Sequence, residues 1–326
     1  MSRDLSALPK AHLHVHLMGS IRPSTYAEFG GSAGFPSRYG SWEAYVAAYR
    51  STKDVLRGPE DLHRLVVELV EDSAADGAAW TEVSVSPSGR LRGVTGSDEA
   101  TMEVVCDAVS SAAAPAGVVV GIDRERDAAD PDRMALLAAA WADRGVVGLG
   151  LAGDETAPVA PFAWAAAIAR DADLLVVPHS GELCGPESIR EDLRVLRPDR
   201  LMHGVRAVED PELVRELADR GTTLDVGISS NVALGVVPDL VSHPLPALVH
   251  AGVPCSVNAD DTLLFSTGLA REYEFARQLG LTDAELAGVA RASLLGSAAP
   301  PSVRDVALAG VEAWLGAAGH GPARLV

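Results

Sequence analysis

Lysine is nearly missing from this chain. Of 27 basic residues among 326, two are lysine (Lys10 and Lys53), which leaves 27 − 2 = 25 arginines. Acidic residues number 45, so the formal charge is −18, and no basic block interrupts the excess. Such a chain lacks the clustered Lys/Arg that grips a nucleic-acid backbone, and anionic membrane repels it. The expected partner is a neutral small molecule. Cysteine is also scarce. Cys106, Cys184 and Cys255 lie far apart with no C-x-x-C pair, so neither a disulfide framework nor a zinc ribbon is indicated. No apolar run reaches bilayer length, and the N-terminus has no apolar signal-peptide core. A soluble protein of the reducing cytoplasm is the expectation. G-x-G-x-x-G and G-x-x-x-x-G-K-[ST] are both absent, which removes phosphate-loop nucleotide binding.

What is present is a rhythm. Short apolar runs at 12–16, 80–85, 117–122, 146–151, 174–177, 201–205, 223–228 and 255–258 read as strands buried on both faces. Helical patterns lie between them. Leu62, Leu65, Val66, Leu69 and Val70 form one apolar stripe ahead of Gly77. Asp210-Pro211 and Thr282 with Glu285 read as helix starts. Eight strands alternating with helices predict an α/β fold, a (β/α)8 TIM barrel, as one domain over 1–326; a doubly wound sheet is the alternative. Aromatics make up only 5% of the chain, yet Phe29, Phe35, Tyr39, Trp42, Tyr45 and Tyr49 crowd the long connection at 20–60. Such a loop after strand one is expected to wall or cover a substrate, the alternative being a helical insert packed elsewhere. Residues 297–326 read as a closing helix and a polar tail.

The chemistry starts at AHLHVH. Alternation along a strand puts His14 and His16 on one face, directed into the barrel, with His12 on that face and deeper. Two imidazoles so placed can clamp a metal. His179, His203 and the pair Asp260-Asp261 each follow an apolar run, at the barrel end where catalytic groups collect. Three histidines and one aspartate would suit a single Zn²⁺ with an open position for water. Binuclear relatives of such sites often use a fourth-strand lysine. VVGLGLAGDE contains none, and neither lysine lies at another strand end, so one ion is expected.

LPKAHLHVHLMGSIRP, LAGDE, HSGE, LMHG, SSNVALGVV, HPLPALVHAGV and NADDTLLF together resemble the adenosine deaminase family, in order and over nearly the whole chain. The resemblance implies zinc-dependent hydrolytic deamination of a 6-aminopurine nucleoside. His14, His16, His179 and Asp260 would bind the metal, with His16 also beside the substrate. Glu182 would protonate purine N1, a role that needs a carboxyl kept neutral by burial. His203 would orient the zinc-bound water and help remove its proton. A protonated Asp261 would meet N7, and the N–H of Gly153 would meet N3. Asp154 and Glu155 read as supporting or solvated, and Ser229, Ser230 and Asn231 as shaping the seventh strand end.

The pattern is broken in places. Met18 replaces the aspartate that meets the ribose 5′-hydroxyl in relatives, a loss of roughly 1–3 kcal/mol for a buried hydroxyl. The residue therefore suggests a 5′-modified nucleoside, with 6-aminodeoxyfutalosine the leading candidate and 5′-methylthioadenosine and 5′-deoxyadenosine behind it. Ser84 replaces an arginine, Gly227-Ile228 a Cys-Pro, and Thr262 a proline. A free-base adenine deaminase and a metal-binding barrel without turnover are the competing readings. AMP and tRNA as substrates conflict with the charge of −18, and the H-x-E with P-C-x-x-C of cytidine deaminases is absent.

Overall fold

The computed structural model describes residues 3–32 and 34–317, so the polar tail expected beyond the last helix lies outside the described residues. All eight apolar runs are strands: β1 Lys10–His16, β2 Ala78–Val85, β3 Ala116–Asp123, β4 Val146–Ala152, β5 Leu175–Ser180, β6 Arg200–His203, β7 Thr223–Gly227 and β8 Cys255–Asn258. They pair in parallel in sequence order. The ring closes at the join of β8 and β1. There His16 N–H donates to the Asp260 carbonyl (2.9 Å), Asp260 N–H donates to that of His14 (3.0 Å), and Val15 bridges Asp260. Asn258 adds a side-chain clasp, its Oδ1 accepting from the N–H groups of Leu13 and His14.

Two apolar clusters fill the space between the strands and the surrounding helices, one gathered about β2–β5 and the other about β6–β8. A smaller one, Val119, Val177 and Met202, lies between β3, β5 and β6. This double burial is why the strands are apolar throughout. The local signals are realised at helix ends. Asp210 accepts from the N–H groups of Glu212 and Leu213, and Thr282 with Glu285 forms a reciprocal capping box.

Three helices precede β2: α1 (Pro23–Glu28), α2 (Trp42–Thr52) and α3 (Pro59–Ala75). The stripe Leu62, Leu65, Val66, Leu69 and Val70 is the buried face of α3. Helix α2 carries the aromatics across the C-terminal mouth of the barrel, where Tyr39, Tyr45, Ala233 and Leu264 pack together and Tyr45 stacks on Phe265. The long connection is thus a wall of the site and not a remote insert. No helix among the described residues is long and apolar enough to cross a membrane.

Candidate active site

His14, His16, His179 and Asp260 converge at the C-terminal mouth. His14 Nδ1 is 3.0 Å from the Asp225 carbonyl and His179 Nδ1 is 3.0 Å from that of Leu151. Each Nδ1–H is spent on a strand carbonyl, so each Nε2 turns inward as a lone pair. His16 Nε2 and His179 Nε2 lie 3.1 Å apart, and Asp260 Oδ1 is 3.4 Å from Nε2 of both His14 and His16. Lone pairs facing one another so closely repel unless a cation lies among them. The spacings also match the edge of a tetrahedron with metal–nitrogen bonds near 2.0–2.1 Å, roughly 3.3 Å. His14 Nε2 is buried with no hydrogen-bond partner, so the donor set fits a metal ion. Burial opposes the charge on Asp260, but His14, His16 and His203 outweigh it and hold the carboxyl ionised. Its backbone is left-handed (φ 59°), as is that of His203 (φ 70°), a conformation non-glycine residues keep only where surroundings enforce it.

Glu182 is buried, and its Oε1 lies 3.4 Å from His203 Nε2 with no hydrogen-bond partner. Burial, then the charges of Asp260, Glu155 and Asp261, push its pKa well above the carboxylate range, so it holds a proton. Its loop hangs from Glu155, whose carboxylate accepts the N–H groups of Glu182 (3.1 Å), Leu183 (3.0 Å) and Cys184 (2.7 Å). Glu155 is therefore not solvated; it holds the turn that carries Glu182.

The proton on His203 can be assigned from a backbone donor. Leu245 N–H donates to His243 Nδ1 (3.2 Å), which leaves the His243 proton on Nε2, directed at Asn231 Oδ1 (3.1 Å). The Asn231 amide N–H then donates to His203 Nδ1 (3.2 Å). His203 Nδ1 is an acceptor, so its proton is on Nε2, facing Glu182 and Asp260. In this arrangement His203 faces the site as a donor, which suits orienting an oxygen. Asn231 does shape this end of the barrel, and it does so through that bond.

Asp261 sits behind the wall. Burial and then Asp260 push its pKa well up, and Tyr45 of α2 donates to its Oδ2. Its Oδ1 lies against Gly19, where a Cβ would come within 1.6 Å; only glycine fits there. Gly19 was not singled out from the sequence, and Tyr45 only as one aromatic of the 20–60 connection, since their partner lies more than two hundred positions away.

A cavity of about 630 Å³ opens over this centre, within the range of small-molecule sites. His16, His179, Glu182, His203, Asp260 and Gly153 line it, while Asp261 and Met18 do not. Gly153 has φ 101°, which favours glycine, and its N–H has no partner among the described residues. Met18, in the short turn Leu17–Gly19, is 2% exposed and packs into the apolar cluster with Leu17 and Ile21. It lies outside the cavity wall, contrary to its expected contact with the sugar. His12 differs as well. A register shift between His12 and Val15 breaks the alternation, and His12 Nδ1 pairs with Ser73 of α3 at 2.9 Å, in the helix layer. A buried ion triad is also new: Arg200 meets Glu82 (2.6 Å) and Asp225 (2.8 Å), the residue whose carbonyl holds His14.

Comparison with known proteins bears on this geometry directly. Residues 9–314 match the family model described as adenosine deaminase. The chain belongs to that family. It is accordingly a hydrolase acting on C–N bonds, in a family of metal-dependent amidohydrolases. A Streptomyces coelicolor protein provisionally named an adenosine/adenine deaminase is 43% identical, covering 96% of this chain and 98% of its own. An aminodeoxyfutalosine deaminase of Acidothermus cellulolyticus is 37% identical over 85% of each. Among solved structures, adenine deaminase from Arthrobacter aurescens superposes with TM-score 0.86 at 25% identity, covering 95% and 99% of the two chains. An amidohydrolase from Burkholderia ambifaria with bound zinc gives 0.76 at 26% identity, covering 96% and 91%. These relatives act by name on a nucleoside-type compound in one case and a free base in another, so family membership leaves the substrate open.

Proposed function

We propose that the chain deaminates a 6-aminopurine nucleoside by hydrolysis, giving the 6-oxopurine product and ammonia. The observation that carries this reading is the proton-bearing, unpartnered Glu182 in the same cavity wall as His16, His179 and Asp260, with His14 buried directly behind them. His14, His16, His179 and Asp260 would hold the ion, and three imidazoles with one carboxylate suit a single Zn²⁺. Zinc, when bound, supplies the Lewis acidity that makes a water nucleophilic near neutral pH.

The chain's own residues guide the protons: the attacking water releases two as its oxygen becomes the 6-oxo group, one completing the departing ammonia and the other restoring Glu182. The amidine carbon C6 of an aminopurine is electron-rich and resists attack. Glu182 gives its proton to N1 as C6 is attacked, which draws charge away from that carbon. His203, protonated on Nε2, steadies the developing oxygen, and the Gly153 N–H receives N3. An Asp261–N7 contact requires the Tyr45 bond to open, because Tyr45 now stands between Asp261 and the cavity.

A nucleoside fits better than a bare base because the cavity of about 630 Å³ is lined by Arg90 and Arg126 as well as by His16, His179 and Asp260, more space than a purine ring alone fills. The aminodeoxyfutalosine deaminase relative supports a 5′-substituted nucleoside in particular. The test is ammonia release from adenine, adenosine, 5′-methylthioadenosine and 6-aminodeoxyfutalosine, before and after chelation and zinc return. Turnover should vanish on chelation and come back with zinc. Adenine outperforming every nucleoside would replace nucleoside with base, and no ammonia from any of the four would overturn the reading.

A further inference from the structure

One side of the cavity is built from the connections that follow β1, β2 and β3, and it is basic. Arg50, Lys53, Arg90 and Arg126 all line it, in a chain whose formal charge is −18. Of the carboxylates on that wall, Asp123 and Asp54 lie beside arginines, and Glu125 is exposed. Asp123 meets Arg126 at 3.2 Å and also accepts the N–H groups of Glu125 and Arg126. Asp127, behind it, takes a second Arg126 nitrogen at 3.1 Å, and Asp54 lies 3.7 Å from Arg90.

Lys53 is left over. Among the described residues its ammonium has no hydrogen bond and no carboxylate partner, only the face of Tyr49 at 4.5 Å. The contrast with the chain's other lysine is direct: Lys10 is satisfied by three carbonyl oxygens at 2.8–2.9 Å. Burial, with Arg126 next, lowers the Lys53 pKa to about 8 against the opposing charges of Asp123 and Asp261, neither of which reaches ion-pair distance. A half-buried cation without a partner is costly to maintain unless a ligand completes it.

We propose that Lys53, supported by Arg126, binds a negatively charged group at the end of the substrate remote from the aminopurine. The group is a carboxylate or a phosphate, and the subsite makes the enzyme selective for an anionic nucleoside. The proposal rests on the deaminase reading and names its substrate class. It reverses the expectation drawn from net charge: the acid excess lies elsewhere, and the cavity's far wall carries a cation in need of an anion.

The experiment compares kcat/KM for two pairs, 5′-(2-carboxyethylthio)-5′-deoxyadenosine with its carboxamide and AMP with adenosine, each in the wild type, Lys53→Met and Lys53→Arg. In the wild type, the acid should exceed its amide, or AMP adenosine, by about 10- to 100-fold. The acid assigns the subsite to a carboxylate and AMP to a phosphate. Within Lys53→Met that ratio should fall to near one, and Lys53→Arg should keep most of it. Because each ratio is taken within one enzyme, a general loss of activity does not mimic the result. Ratios near one in the wild type, or unchanged ratios in Lys53→Met, would overturn the subsite. No turnover of any compound would refute the deaminase reading instead. Calorimetric binding of the acid and amide to zinc-loaded protein would then still report on Lys53.

Discussion

Replacing Glu155 with glutamine tests whether the acid Glu182 is placed by its neighbour's carboxylate. The wild-type carboxylate serves three N–H groups at 2.7–3.1 Å, Oε1 taking Glu182 and Oε2 taking Leu183 and Cys184. An amide has one oxygen. Kept toward Leu183 and Cys184, it presents an NH₂ to the Glu182 N–H, so one bond is lost and the other two weaken as the charge disappears. Hydrogen bonds to a charged group contribute about 1.5–3 kcal/mol each, and a stranded buried donor costs about 1–3 kcal/mol. Glu155→Gln should therefore lose about 2–4 kcal/mol of stability. The larger effect is positional. Displacement of the Glu182 backbone by an ångström would lower kcat about 100-fold. Metal content by mass spectrometry should stay the same, because Glu155 touches none of the four metal-type donors. A variant with kcat within threefold of wild type and an unchanged denaturation midpoint would refute the argument.

Two further outcomes concern the same centre. Glu182→Gln should abolish turnover yet keep the metal. In the wild type, kcat/KM should fall on the alkaline side, since Glu182's folded pKa lies above its ordinary value and the needed proton is lost as pH rises through it; a profile that rises throughout would reject Glu182 as the acid. Asn231→Leu and His243→Phe should each lower kcat about 10- to 100-fold, with the double variant no worse than the poorer single one, because both act through the proton on His203. Additive losses would show that they act separately.

The strands and the convergence of His14, His16, His179 and Asp260 were legible because each is a local pattern: an apolar run, then a polar residue where the run ends. What a pattern of two cannot show is a break in itself. The shift between His12 and Val15 turned His12 into the helix layer while His14 and His16 kept their place. Met18 was judged by its place in a motif, but the turn Leu17–Gly19 rolls it into the apolar layer. The partners of Glu155 and Asn231, and His243 altogether, escaped for another reason. Each acts on a partner supplied by another loop, and a loop's neighbours are set by the closed barrel and not by nearby residues. Lys53 lay in full view as one of two lysines, yet only the fold shows that, among the described residues, no carboxylate pairs with it.

The join between β8 and β1 has one more consequence. His14, His16 and Asp260 hold the first and last strands together through their backbones while offering their side chains to an ion. An ion seated there acts as a removable rivet joining two stretches of chain more than two hundred residues apart. A partly loaded preparation is then a mixture of riveted and unriveted barrels, and slow amide exchange at His16 and Asp260 would count the riveted fraction without any substrate present.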